Sequence, residues 1–322
     1  EEVLVMEKVS GQKRKSRLRG WVFWPPFLVL LMVLILGFVS QDAFLKVVNG
    51  VKDWIWGNFK WLFSGYGLAA VGVCFYACFS KFGNTVIGGK DAKPILGKFN
   101  WFAISLCTTI AAGLMFWAAA EPLYLMSDPS PFFDIEPNSP QAAVFAMAQM
   151  YLHWGITPYA IYALAATVFA FTYYNMKKPF SLGACISPLL GERATKGRLA
   201  DIIDALCIFI LCAGMSGSLS TGAFSVAGGI SNITGIPTNG IMLIIVMAAI
   251  ILVYTISASS GIMKGIKWLS SFNVYIFSFL ILFIFLFGPT KFILNFGVES
   301  VGELMDSFFM RNLFTDSMNL GN

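Results

Sequence analysis

The segment His153-Trp154-Gly155-Ile156-Thr157-Pro158-Tyr159-Ala160-Ile161-Tyr162 sets three aromatic rings, the chain's only histidine and a proline inside a stretch otherwise apolar enough to cross a bilayer. Polar and helix-breaking residues are costly in hydrocarbon and are tolerated there where they face protein or a water-filled cavity. The chemistry these residue types support is the binding of a cation. Trp and Tyr faces carry negative potential, and the attraction reaches ~2 kcal/mol or more once water is removed. A quaternary ammonium group suits such a site, because it has no hydrogen-bond donors to satisfy and is stripped of water at modest cost. At 100° per residue, Trp154 and Tyr162 lie about 80° apart and Tyr159 about 60° from Tyr162, so one broad helix face presents all three. Trp and Tyr also form belts at membrane interfaces, and that reading stands beside the first.

Glu121, in Gly113-Leu114-Met115-Phe116-Trp117-Ala118-Ala119-Ala120-Glu121-Pro122, is the one acidic residue well inside a span. It has two readings: it bonds backbone groups that Pro122 frees, or it couples to an ion or proton. For His153 the plainer reading is a hydrogen-bonded packing residue and the sharper one a proton relay. The stretch from Ala213 to Ala223 is dense in small and hydroxyl-bearing residues. Close helix packing explains it plainly; a substrate or cation path past Ser216 and Ser218, with the helix locally unwound, is the sharper reading. Of the six cysteines, five fall in spans and Cys185 in a loop, as small buried apolar residues do. One histidine and no Cys-x-x-Cys pair give no metal-ligand spacing, and phosphate loops and nucleophile elbows do not occur. No cofactor, metal or catalytic residue is assigned, and the chain is not read as an enzyme.

The elements that must position these residues are membrane helices. Hydrophobic residues make up 57% of the chain and charged residues 12%, against roughly 25% charged in a soluble domain. Apolar runs of about 20 residues predict an all-α integral membrane protein with seven spans: Trp24 to Val39, Trp61 to Phe82, Trp101 to Met126, Gln141 to Tyr174, Ile202 to Ile230, Gly240 to Ser257 and Trp268 to Gly288. With the N-terminus cytoplasmic, 17 of the 22 Lys and Arg residues fall on the inner side, as the positive-inside rule requires. The net charge of +5 is thereby accounted for without nucleic acid. The arm Lys13-Arg14-Lys15-Ser16-Arg17-Leu18-Arg19 reads as a topogenic cluster or as a lipid-responsive arm.

In order along the chain come Gly113-Leu114-Met115-Phe116, Ala120-Glu121-Pro122-Leu123, His153-Trp154, Pro158-Tyr159-Ala160-Ile161-Tyr162-Ala163, Ser187-Pro188-Leu189-Leu190-Gly191, Ile203-Asp204, Ser260-Gly261, Lys264-Gly265-Ile266-Lys267-Trp268-Leu269-Ser270 and Gly288-Pro289-Thr290. Over nearly its whole length the chain thus resembles the betaine/choline/carnitine transporter (BCCT) family. The resemblance implies a LeuT-like inverted-repeat fold: a basic cytoplasmic arm over 1–23, two lead-in helices over 24–82, a cytoplasmic loop over 83–100, a first five-helix repeat over 101–289, and an outer polar segment over 290–322 leading to a second repeat. It implies a homotrimer in the plasma membrane of a bacterium or archaeon, taking up a quaternary ammonium solute (glycine betaine, choline, carnitine or a related osmolyte) by alternating access. The implied substrate contacts are Trp154, Tyr159, Tyr162, Ile110, Ala111 and Trp117, with Glu121, Ser216 and Ser218 as coupling or pathway residues.

The chain departs from the family pattern in several places. Tyr159 stands where the members it most resembles carry tryptophan. Thr108-Thr109-Ile110-Ala111-Ala112-Gly113 replaces a glycine-rich stretch with a single glycine, which is harder to hold open. Leu211 and Met215 stand where sodium-coupled members supply threonine, so no sodium site is carried over, and sodium or proton coupling is unassigned. The sequence begins without methionine and stops before a tryptophan-rich eighth helix, which reads as a fragment of a longer transporter. Two alternatives accompany the transporter reading: a non-transporting sensor of such a solute, and a partner-dependent half-length subunit.

Overall fold

The computed structural model describes residues 19–109, 112–260 and 265–317, with backbone alone for 112–115. Ile110 and Ala111, Lys13 to Arg17, and Gly261 to Lys264 lie outside the described residues. The chain is helical: α1 (Gly20–Val39), α2 (Gln41–Phe79), α3 (Lys98–Thr109), α4 (Ala112–Ser127), α5 (Pro140–Trp154), α6 (Ile156–Ala170), α7 (Arg198–Thr234), α8 (Gly240–Ser259), α9 (Lys267–Phe287) and α10 (Thr290–Leu313), with short helical turns between α6 and α7. Among the described residues six helical stretches are long and apolar enough to cross a membrane, α5 and α6 counting together within Pro140–Asn175. The described parts of the expected third span, Trp101 to Met126, lie in α3 and α4 on either side of residues 110–111, which are outside the described residues. The segment after Gly288-Pro289, expected only as polar, is the 24-residue helix α10.

The buried apolar residues are mostly small. Ala70, Ala103, Ala142, Ala146, Ala148, Ala160, Ala223 and Ala227 are each buried, while Trp61, Phe79, Ile244, Phe279 and Leu286 are exposed. In water this would be inverted. In lipid, bulky apolar side chains have no reason to leave the tails, and small residues let helix backbones approach.

The chain divides into two compact units, the first made of Pro179–Ala213 with the described part of Glu1–Val47, the second of Val48–Lys178 with Gly214–Asn322. In the first, Arg19, just before α1, donates to Asp204 Oδ2 on α7 at 2.7 Å and also pairs with Asp201. Hydrogen bonds to Asp201 and then Asp204 hold the Arg19 guanidinium above its ordinary value. Asp204 Oδ1 in turn accepts from Ser181 Oγ and, at 3.3 Å, from the Gly183 amide. Asp204 therefore anchors both the entrance to α1 and the loop before α7.

In the second unit, α5 packs against α4, α6 and α10, and α9 against α3. Where α2 meets α6, Ala70, Val71 and Ala160 form a small core, and a Cβ on Gly67 would sit 3.2 Å from Thr157 Cγ2. Ala223 and Ala227 on α7 pack similarly against Val246 of α8. α5 starts where Ser139 caps it, its hydroxyl accepting from the Ala142 amide at 3.0 Å, with Pro140 in the first turn, where a missing N–H costs nothing.

Candidate functional site

The aromatic block is where the fourth span breaks. α5 ends at Trp154 and α6 starts at Ile156, with Gly155 at φ −110°, ψ −130° between them. A Cβ there would lie 2.1 Å from the Tyr151 carbonyl oxygen, so only glycine lets the chain turn so close to the preceding helix. The break therefore sits three residues before Pro158, the helix-breaking residue of the segment. The reason is steric: in a continuous helix the Pro158 ring would collide with the carbonyl four residues back, that of Trp154. With the break at Gly155, Pro158 falls in the first turn of α6, whose amides lack helical partners anyway.

The break also removes the premise that one helix face carries all three rings. Trp154 ends α5, whereas Tyr159 and Tyr162 ride on α6 as a pair, with centroids 6.1 Å apart and planes tilted by 51°. Among the described residues Trp154 forms no ring pair with either.

Trp154 is instead held by Glu121 of α4. Its indole Nε1–H donates to Glu121 Oε2 at 2.7 Å, and the other carboxylate oxygen, Oε1, pairs with His153 Nδ1. Glu121 thus bonds side chains of α5 rather than the backbone near Pro122. From His153 the network continues through residues the sequence reading did not single out. Gln149 Nε2 lies 2.8 Å from His153 Nε2, and Gln149 Oε1 accepts from Arg311 Nη1 of α10 at 2.9 Å. Arg311 also donates to Glu303 Oε1 at 2.7 Å and to Ser307 Oγ. Its guanidinium carbon lies 4.5 Å from the Phe145 ring centre and 5.5 Å from that of Phe133. The Arg311 side chain is 1% exposed. A charge so buried must be paired and hydrogen-bonded, and removing a partner from such a pair costs about 3–5 kcal/mol.

The missed members had a signal. Gln149 lies four residues before His153, on the same face of a helix, and Glu303, Ser307 and Arg311 repeat at the same spacing.

Of the remaining candidates, Trp117 lies one turn before Glu121 on α4, its ring edge-on to Phe116 at 5.2 Å. Ser216 and Ser218 lie on α7, which is helical throughout Arg198–Thr234. The hydroxyls nearby bond back along that helix, Ser220 to the Ser216 carbonyl at 2.9 Å and Thr221 to that of Gly217 at 3.1 Å. The unwound backbone imagined for this stretch does not occur. Ile110 and Ala111 lie outside the described residues. On its other side Trp154 borders an apolar cleft of about 1040 Å³ lined also by Leu68, Phe75, Tyr151 and Met305. Among the described residues no charged side chain lines it.

A chain whose described residues are helical, with this many bilayer-length helices and lipid-compatible surfaces, is a multi-pass membrane protein. The family model for the betaine/carnitine/choline family transporters (BCCT) matches residues 21–321, and the chain belongs to that family. It is 32% identical over 288 residues to the glycine betaine transporter OpuD of Bacillus subtilis, covering 89% of this chain and 55% of that protein. To the betaine/ectoine transporter LcoP of Corynebacterium glutamicum it is 30% identical over 302 residues, 93% of this chain and 48% of that protein. To glycine betaine transporter 1 of Vibrio parahaemolyticus it is 33% identical over 263 residues, 81% and 50% respectively. The chain spans about half the length of the curated relatives it matches.

Proposed function

We propose that the protein is a secondary active transporter taking up a quaternary ammonium or similarly methylated solute, such as glycine betaine, choline or carnitine, by alternating access. The observation that carries this reading is the family match across residues 21–321, with relatives named for glycine betaine and ectoine. The site's chemistry agrees with it. Trp154 sits at a break between two half-helices, where backbone groups are free to face a solute, and its indole plane is fixed by Glu121.

In this reading the fold is LeuT-like, with two lead-in helices followed by a first repeat of five. The N-terminus is cytoplasmic, the membrane is the cell membrane of a bacterium or archaeon, the assembly is a homotrimer, and no residue is catalytic. Trp154, with Tyr159, Tyr162, Trp117, Ile110 and Ala111, forms one wall of the solute site; Glu121, Ser216 and Ser218 line the pathway. No coupling ion is assigned.

Uptake of radiolabelled glycine betaine, ectoine, choline and carnitine by cells expressing the complete gene tests this. Concentrative uptake of any of the four supports it. Protein in the membrane with no uptake overturns it, and binding without flux in proteoliposomes identifies a sensor instead.

A further inference from the structure

The directions of the hydrogen bonds around Trp154 are set from one end. A guanidinium has only donors, so the Gln149 oxygen must face Arg311, and it does, at 2.9 Å. The Gln149 NH2 group therefore faces His153 Nε2 at 2.8 Å. Against a donor, Nε2 must be the acceptor, which leaves the imidazole proton on Nδ1, pointing at Glu121 Oε1. This tautomer follows from the network. Glu121, an acceptor on both oxygens, then holds the His153 Nδ1–H on one and the Trp154 indole N–H on the other.

We propose that Arg311 is a positioning residue for Trp154: acting through Gln149, it sets His153 as an Nδ1–H donor to Glu121 and so fixes the carboxylate that orients the indole. The relevance of that orientation to transport rests on the proposed role of Trp154 in the solute site.

The surroundings leave Arg311 as the source of this order. α4 brings one charged residue, Glu121, and α6 brings none, its titratable side chains being Tyr159 and Tyr162. From α10 come Arg311 and Glu303, and Glu303 is engaged by Arg311 itself at 2.7 Å. Arg311 in turn is fixed by Glu303, Ser307 and the Phe145 and Phe133 rings. α10, seemingly remote from the aromatic block in sequence, thereby reaches the tryptophan through three side chains.

Substituting Gln149→Glu reverses the logic, because a carboxylate accepts from Arg311 and from a His153 Nε2–H alike. Arg311→Lys keeps a donor-only group and should keep the tautomer, even where it costs stability through lost stacking and bidentate geometry. His153 is the only histidine of the 322 residues, and a His153→Asn sample identifies its signals in the full-length protein.

The experiment is nitrogen NMR of ring-labelled histidine in the full-length protein in lipid, at neutral pH, paired with betaine uptake kinetics. The proposal expects the Nδ1–H tautomer in wild type and in Arg311→Lys. It expects Nε2 to become protonated in Gln149→Glu, either as the neutral Nε2–H tautomer, with KM for betaine raised roughly tenfold or more and kcat changed much less, or as an imidazolium donating to both carboxylates, with Glu121 still held and KM little changed. Wild type carrying Nε2–H, or Gln149→Glu leaving the ring unchanged, overturns the proposal, as does the neutral Nε2–H tautomer with KM unchanged. The expected tautomers with no betaine transport by wild type support the hydrogen-bond chain and remove the betaine reading, so the two failures are separable.

Discussion

Arg311 and Asn312, consecutive on α10, grip opposite sides of the break at Gly155. Arg311 Nη1 donates to Gln149 of α5 at 2.9 Å, and the Asn312 carboxamide oxygen accepts from Thr157 Oγ1 of α6 at 2.8 Å. A broken helix has two ends whose relative placement its own backbone no longer fixes. Here one turn of a third helix supplies the missing constraint, and Asn312 is itself held by donating to the Phe308 carbonyl at 2.8 Å. The residues that disturb the span are thus matched, one helix away, by residues that brace it.

The break depends on Gly155. An alanine Cβ would lie 2.1 Å from the Tyr151 carbonyl oxygen, a backbone atom that cannot swing aside. Gly155→Ala should cost more than about 3 kcal/mol, among the severe class of single substitutions. Size-exclusion profiles of the fluorescently tagged protein should show the folded peak largely lost. A full peak with normal thermal stability would mean the α5 to α6 junction has another geometry.

At Glu121, the two substituents that approach the carboxylate are both donors. Glu121→Gln is therefore not a neutral isostere, since its NH2 must confront either the His153 Nδ1–H or the Trp154 Nε1–H. The expected loss is that of one charge-assisted hydrogen bond, about 1.5–3 kcal/mol. It should be visible as lower thermal stability and weaker uptake together. Unchanged behaviour in both would show that the carboxylate does not accept from these groups.

That the chain is built of bilayer-length apolar helices was legible, because such runs are counted directly along the sequence; seven were expected, and six helical stretches among the described residues meet the length and hydropathy of a span. Glu121, His153 and Trp154 were each legible too, since such residues are expensive where they stand. Their union was not: Glu121 meets His153 and Trp154 only because α4 packs on α5, and no spacing rule crosses between helices. Arg311 counted merely as one of the outer charges, because a search for apolar runs passes over a helix that carries Lys291, Glu299, Glu303, Asp306 and Arg311. Pro158 drew attention as the breaker, yet the backbone yields at Gly155, where absence of a side chain matters more than presence of a ring.

Cys185 lies outside the membrane spans, in the turn Leu182–Ile186, and burial pushes its thiol up from the ordinary value. Thiolate is the reactive form. A raised pKa leaves less of it at neutral pH, and reactivity should climb as pH rises toward that higher value. Iodoacetamide labelling followed by mass spectrometry should find Cys185 slower in native than in detergent-unfolded protein at pH 7.5. The native rate profile should be displaced to higher pH. Equal rates would mean that the loop before α7 leaves this thiol in water.

Trp154 offers two separable properties, a π-face and an indole N–H, and substitutions divide them. Trp154→Ala removes both, and in the transporter reading it should raise KM for betaine severely. Trp154→Phe keeps a face for the cation but leaves Glu121 one donor short, a loss of about 1.5–3 kcal/mol, or roughly ten- to a hundredfold, where that bond orients the site. Its effect should therefore be intermediate rather than mild. Combining Trp154→Phe with Glu121→Gln separates the causes. With the indole N–H gone, Gln can turn its oxygen to His153 and its NH2 toward the phenyl face, so the donor conflict of the single Gln variant disappears. The double variant should then be less impaired than the sum of the two singles, by a coupling of 0.5 kcal/mol or more, about the lower bound for residues in contact. Strict additivity in uptake and stability would mean that Trp154 acts through its ring alone, and that the bond to Glu121 does not orient it.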